Sequence, residues 1–192
     1  MRDAVKIVLL RHARSGHVQS GWINREDFLR WREAYEAAGI DAADVPPSEL
    51  SAEAAACGVL VASVARRAVE SADALTPRRE VLTSSLLCEL DLRPPALGRI
   101  RLPLFGWALT FGVRWLVRAV LRFPHFTADE EQRACAAADW LSQLAESHGS
   151  VMAVTHASFR SLLARELVRS GWHSDPPRHK LRPWSAWTFT RT

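Results

Sequence analysis

The chain has 192 residues, 48% of them hydrophobic, and a formal net charge of +4. That is enough apolar material for a sizeable core in one domain, and no stretch has a composition that requires disorder. The 25 basic residues suit an anionic partner but are spread along the chain rather than gathered in a tract, so nucleic acid is not expected.

Short β-branched runs alternate with amphipathic helical segments. This is the pattern of an α/β protein with a mostly parallel central sheet and helices on both faces. The first strand, residues 5–10, runs straight into Arg11-His12-Ala13-Arg14-Ser15. A helix follows over 26–38, and Pro46-Pro47 opens a turn before a helix starting at Ser51. Residues 59–63 form the second strand, 65–75 a helix and 81–84 the third strand, which leads to Glu89. Residues 92–126 break the rhythm: Pro94-Pro95 stands near one end, Pro124 near the other, and Trp107 and Trp115 lie between. This segment reads as an inserted helical cap, placed to close over a pocket and set substrate choice. A helix over 128–147, a fourth strand over 151–155, a helix over 159–170 and an antiparallel edge strand over 184–190 complete the chain. Gly39, Gly149 and Gly171 stand where helices should stop. No internal repeat divides the chain, so residues 1–192 are expected to form a single domain with one cap.

A strand that ends on Arg-His places an imidazole and a guanidinium at the carboxyl edge of a sheet, where open α/β folds keep their sites. His156 ends the fourth strand as His12 ends the first, so two adjacent strands bring both rings to one spot. Moving a phosphoryl group through an enzyme-bound intermediate needs a neutral imidazole in line with phosphorus, donors for the equatorial oxygens and an acid for the leaving group. His12 supplies the nucleophile, and the charges of Arg11 and Arg67 disfavour its protonation. Those arginines hold the phosphate, and Glu89 is the acid.

These residues resemble the histidine phosphatase superfamily, also called phosphoglycerate-mutase-like. Its pattern of strand-Arg-His-Gly, Ser-x-x-x-Arg-Ala-x-x-Thr-Ala, an acidic donor and strand-x-His-Gly reads here as Arg11-His12-Ala13, Ser63 through Arg67-Ala68 to Ser71-Ala72, Glu89, and Thr155-His156-Ala157. The resemblance implies a phosphohistidine on His12, a phosphate pocket of Arg11, Arg67 and His156, proton donation by Glu89, and no metal or organic cofactor. Arg67 rather than Arg66 is the phosphate ligand in that alignment. Ala13 and Ala157 replace the usual glycines and Ser71 the usual threonine, without removing a catalytic group. The phosphatase branch is favoured over the mutases by the shortness of the chain.

Two further residues are candidates for contact with substrate: Ser15, just behind the first motif, and Arg118 on the cap. Arg114, Arg118 and Arg122 share one helix face, which reads as a wall for a second phosphate, as a surface for acidic lipid, or as an ordinary solvated stripe. His17 is expected to be exposed, and Trp22 and Trp31 to pack the first helix onto the sheet. Cys57, Cys88 and Cys135 are singletons without metal-ligand spacing, which together with the absence of a leader-like segment points to a reducing cytoplasm. The longest apolar stretch, residues 102–113, is far below the roughly 20 residues of a membrane span. The substrate is expected to be a small phosphorylated molecule or a phosphoprotein, while oligomeric state is left open. A non-catalytic phospholigand-binding protein, a mutase-like phosphotransferase and a peripheral membrane protein docked by the cap helix are the alternative readings.

Overall fold

The structure is a computed structural model that describes residues 4–18, 20–91, 93–120, 125–177 and 179–192. Its centre is a six-stranded sheet of β1 (Val5–Arg11), β3 (Val59–Ser63), β4 (Leu82–Ser84), β6 (Ser150–Thr155), β7 (His173–Asp175) and β8 (Ala186–Arg191), in the order β4-β3-β6-β1-β8-β7. The pairs β1–β6, β6–β3 and β3–β4 are parallel, while β8 lies antiparallel to both β1 and β7. The parallel strands are nearly continuous apolar runs because both of their faces are covered. Ile7 and Leu9 of β1 enter one core with Phe159 and Leu163, and Val8 and Leu10 enter the other with Ala68 and Leu75. This is the two-residue alternation of a strand buried on both sides.

The helices are α1 (Arg25–Ala37), α2 (Ser48–Ala56), α3 (Arg66–Leu75), α4 (Leu104–Val120), α5 (Ala128–His148) and α6 (Ala157–Arg169). α5 and α6 cover one face of the sheet, and α2 and α3 the other. Both α1 and α5 start on capping boxes, Asn24 with Asp27 and Thr127 with Glu130, which satisfy amide groups that a helix start would otherwise leave open. Gly149 and Gly171 adopt positive φ at helix ends, as expected.

Four sequence expectations need correction. The antiparallel strand begins at Ala186 and is not the edge, because β7 covers it; the polar triplet His-Ser-Asp of β7 carries no apolar alternation to announce a strand. α2 begins at Ser48 rather than Ser51, since Pro47 already holds a φ of −56° and organises the turn ahead of it. Gly39 follows the helix end without a left-handed backbone. Its missing Cβ makes room for the Glu70 carboxylate, 2.2 Å from where that carbon would stand, and Glu70 accepts the Ile40 N–H at 2.8 Å. Finally, α1 packs against the cap rather than the sheet. Phe28 is its single fully buried side chain and meets Trp107 and Phe111 of α4 with ring centroids 5.5 and 6.0 Å away.

A small sheet of β2 (Trp22–Ile23) and β5 (Leu102–Pro103) ties the chain behind the first motif to the base of α4. Trp107 anchors this region: it is fully buried and its indole donates to the Ile23 carbonyl at 3.0 Å. Truncating such an aromatic costs about 3–5 kcal/mol, so one residue carries much of the attachment of α4.

Candidate active site

Parallel pairing places Arg11 of β1 beside Thr155 of β6, so the next residues, His12 and His156, leave the sheet together. Their ring centroids are 5.0 Å apart at an interplanar angle of 63°. The His12 N–H donates to the Thr155 carbonyl at 3.0 Å. The Ala13 N–H donates to Ser71 Oγ at 2.9 Å, and that hydroxyl donates to the Arg67 carbonyl at 2.6 Å. Ser71 thus ties the first motif to the second.

Arg67 stands in the first turn of α3 and is buried. Its Nε donates to His12 Nε2 at 3.3 Å and its Nη2 to His156 Nδ1 at 3.1 Å. The other edge of the guanidinium meets Glu36 at 3.1 and 3.3 Å, and its carbon lies 4.6 Å from the centre of the Tyr35 ring. The second arginine, Arg11, lines the same cavity, and its buried Nε has no hydrogen-bond partner among the described residues.

These contacts fix both tautomers. His12 Nδ1 lies 2.6 Å from the Ala13 carbonyl, an acceptor only, so Nδ1 carries the proton and Nε2 keeps its lone pair toward Arg67. His156 receives Arg67 on Nδ1, so its proton is on Nε2, 3.0 Å from Ser63 Oγ. Burial pushes the His12 pKa down to about 3, with the charges of Arg67 and Arg11 acting in the same direction against the Ala13 carbonyl. Burial, then His12 and Arg67, pushes His156 to about 2. Both rings are neutral at pH 7.

Glu89 follows β4 and a short 3-10 turn, Ser85–Leu87. Its Oε1 accepts from the N–H groups of Leu90 at 3.0 Å and Phe159 at 2.8 Å, and its Oε2 from Ser158 at 3.3 Å. The carboxyl therefore caps α6 while also lining the cavity. Enclosure by protein raises its pKa and outweighs the three amides, which pull the other way. Its segment is held by Arg133 of α5, which donates to the carbonyls of Leu86, Cys88 and Glu89 at 3.2, 2.5 and 3.3 Å.

The cavity above these residues has a volume of about 550 Å³. Arg11, His12, Arg67 and Glu89 form its polar end. Phe28, Trp31 and Tyr35 of α1 and Leu104, Ala108 and Phe111 of α4 form its walls. His156 is fully buried and does not line the cavity; it meets the site through Arg67. Ser15 and Arg118 also lie outside the lining. Ser15 serves its own loop, pairing with Ile40 and accepting the His17 N–H at 3.2 Å. Arg122 falls outside the described residues. Trp31 lines the cavity instead of packing α1 onto the sheet, while Trp22 is exposed on β2. His17 is half-buried, its ring 6.3 Å from that of Trp31.

Sequence reasoning missed Tyr35, Glu36, Arg133 and Arg160. The last is buried beneath the site and donates to the carbonyls of Leu9, Ser185 and Lys180, bracing the end of β1. The available signal was a lone arginine on an otherwise apolar helix face, at Arg133 beside Ala134 and at Arg160 between Phe159 and Leu162. Among the described residues no group of three His, Cys, Asp or Glu side chains converges as a metal site, and no helix is long and apolar enough to cross a membrane.

No protein-family model matches the chain, and no curated protein matches its sequence. Solved structures do share its architecture. A phosphoglycerate mutase from Bacillus anthracis superposes with a TM-score of 0.57 at 14% identity, over 99% of this chain and 89% of that one. A phosphoserine phosphatase from Entamoeba histolytica, in complex with 3-phosphoglyceric acid, gives 0.57 at 12% identity over 97% of both chains. A mycobacterial glucosyl-3-phosphoglycerate phosphatase gives 0.50 at 17% identity, over 86% of this chain and 80% of that one. The chain therefore has the phosphoglycerate-mutase-like fold.

Proposed function

We propose that this protein is a phosphatase that hydrolyses a phosphomonoester or phosphoanhydride through a phosphohistidine on His12. The observation that carries this reading is the arrangement at His12 Nε2: a neutral ring on the cavity lining whose Nε2 lone pair accepts from Arg67 at 3.3 Å, and Arg11 beside it with a buried Nε that has no partner among the described residues. Neutral nucleophile and fixed cations together suit a phosphoryl group better than a carboxylate ligand, which needs no nucleophile.

In the first step the Nε2 lone pair attacks phosphorus, the bond from phosphorus to the leaving oxygen breaks, and the proton of Glu89 passes to that oxygen. Arg11 and Arg67 neutralise the equatorial oxygens, and His156 orients Arg67 through Nδ1. In the second step water attacks the phosphohistidine, gives a proton to the Glu89 carboxylate and releases phosphate, restoring both His12 and the acid. No metal or organic cofactor is required, since the guanidinium groups meet the charge. The raised pKa of Glu89 suits an acid that must hold its proton near neutrality.

The cavity exceeds what a phosphoryl group fills, and beyond its polar end the walls are largely aromatic and aliphatic, with Arg32, Glu36 and Asp91 also on the lining. A leaving group with substantial apolar surface fits it. The three free cysteines suit a reducing compartment, and we place the protein in the cytoplasm. The structural neighbours named as phosphatases support hydrolysis, and the neighbour named as a mutase makes phosphate release the discriminating readout. A panel of aryl, alkyl and sugar phosphates assayed with EDTA tests the reading: free phosphate should appear at undiminished rate with chelator. Isomerised product without phosphate, or tight binding without turnover, would contradict it.

A further inference from the structure

A transferring phosphoryl group presents three equatorial oxygens, and the polar end of the cavity offers them two cations, Arg11 and Arg67. His156, the third phosphate ligand expected from the sequence, is fully buried and off the lining. One equatorial oxygen is therefore left to find a donor elsewhere. The side chain placed to serve it is Tyr35, in the last turn of α1 and on the cavity lining.

Tyr35 touches both arginines. Its ring faces the Arg67 guanidinium, whose carbon lies 4.6 Å from the ring centre, and its carbonyl accepts from Arg67 Nη1 at 3.4 Å. Its hydroxyl shares a hydrogen bond with the Arg11 side chain. A guanidinium carries N–H groups and no acceptor, so in that bond Arg11 donates and the Tyr35 oxygen accepts. The phenolic proton is left to point at another partner. Arg67 of α3, Arg11 of β1, Glu89 after β4 and Glu36 of α1 all act on this hydroxyl, which sets it at the polar end of the cavity while its ring joins the wall. Burial raises its pKa, so the proton stays in place at neutral pH. Trp31, one helical turn earlier, packs its ring 5.1 Å from the phenol and holds it against Arg67.

We propose that Tyr35 is a further catalytic residue, whose hydroxyl accepts from Arg11 and donates to the third equatorial oxygen of the phosphoryl group. This role rests on the reading of the cavity as a phosphoryl site at His12. Accepting from a cation makes the phenol a better donor, because successive hydrogen bonds polarise one another. Tyr35 keeps its proton through both steps, and Glu89 remains the acid for the leaving oxygen.

Tyr35 is the sole tyrosine of the chain, so growth on 3-fluorotyrosine labels this position alone. Titration of the labelled protein with inorganic phosphate should move its single fluorine resonance, saturating at the Kd given by calorimetry. Fluorine makes a phenol a stronger donor and a weaker acceptor, so below the pKa of the fluorophenol the labelled chain should bind phosphate roughly twofold more tightly than the parent. A tyrosine that only positioned Arg11 would give the opposite sign. Tyr35→Phe keeps the ring against Arg67 and removes the hydroxyl. It should weaken phosphate binding and lower kcat/KM for phenyl phosphate, each about tenfold or more, with circular dichroism unchanged; should that variant fail to fold, the fluorinated chain decides. A resonance unmoved by saturating phosphate, an affinity that stays level or falls on fluorination, or a folded Tyr35→Phe that binds phosphate as the parent does would overturn the proposal. Any of these, found in a chain that still releases phosphate from esters, would leave the phosphatase reading standing. A parent that neither binds phosphate nor releases it would remove both.

Discussion

At the carboxyl edge of the sheet, His12, Arg67, His156 and Glu89 are each held by hydrogen bonds from other elements, whereas α4 has Trp107 as its single fully buried side chain among those described. The two regions meet in one cavity but are built to different tolerances. A reacting phosphoryl group needs donors and nucleophile fixed to within fractions of an ångström, and parallel strands buried on both faces supply that rigidity. A leaving group needs only a wall of suitable shape, which a helix tethered at one anchor provides and can vary without disturbing the chemistry. Damage at the sheet edge should therefore abolish turnover whatever the substrate, and damage at α4 should change which substrates turn over.

The sharpest break in that comparison is His12→Ala. Removing the nucleophile should cost at least about 10³-fold in kcat on every phosphate ester, measured as phosphate release, whereas Phe111→Ala on the cap should change the ranking of substrates. Loss confined to some esters in His12→Ala would erase the distinction. Glu89→Gln is next. It should slow alkyl phosphates about 10²- to 10⁴-fold and spare nitrophenyl phosphate, whose leaving oxygen needs no proton. The alkaline limb of the parent pH profile should vanish with it, because the raised pKa of Glu89 sets where the acid is lost. Equal slowing of both classes would make Glu89 a cap of α6 alone. Arg133→Ala frees the segment that carries Glu89. It should cost about 1.5–3 kcal/mol of stability by denaturation and slow alkyl phosphates more than aryl ones.

The buried histidines also link stability to pH. Both are neutral in the folded chain with pKa values near 3 and 2, against about 6.5 when unfolded. As pH falls from 6.5 toward 3 the unfolded chain binds protons that the folded chain refuses, so stability declines across that window. Glu89 acts oppositely, taking its proton early in the folded state, and offsets part of the decline. Urea midpoints should fall from pH 7 to pH 5, and less steeply in His156→Gln; a flat midpoint would mean that the rings are solvated. The smallest effect is expected at Glu36, whose carboxylate holds Arg67 but is half-exposed. Such a pair contributes about 0.2–1 kcal/mol, so Glu36→Gln should release Arg67 to the phosphate and lower KM by roughly 1.5- to 5-fold.

The sheet edge was legible in the sequence because its determinants are local. A strand followed at once by Arg-His needs no tertiary information, and parallel pairing of β1 with β6 then brings His12 and His156 together. Arg67 was legible through its register in the Ser-x-x-x-Arg-Ala pattern that the resemblance supplied. Glu36 and Tyr35 were not, because they come from a helix whose expected contact was the sheet, and its partner proved to be the cap. Arg133 and Arg160 act on carbonyls 20 to 151 residues away, a relation that no local pattern encodes. Glu89 does reach the cavity, but its bonds to the first turn of α6 were not legible, since a capping carboxylate and a proton donor look alike in sequence. That Phe105, Leu109, Val113, Leu116 and Val120 of α4 stay exposed follows from no local pattern, since periodicity locates an apolar stripe but not which way it turns.

The central claim is covalent, and rapid quench reads it directly. Wild-type protein mixed with a substrate labelled in its phosphoryl group and quenched within the first turnover should carry label on His12, stable in base and lost in acid, in an amount approaching one per chain for substrates with good leaving groups. His12→Ala should carry none. Single-turnover release of labelled phosphate by the wild type with no protein-bound label at any time, or equal labelling of His12→Ala, would contradict the account.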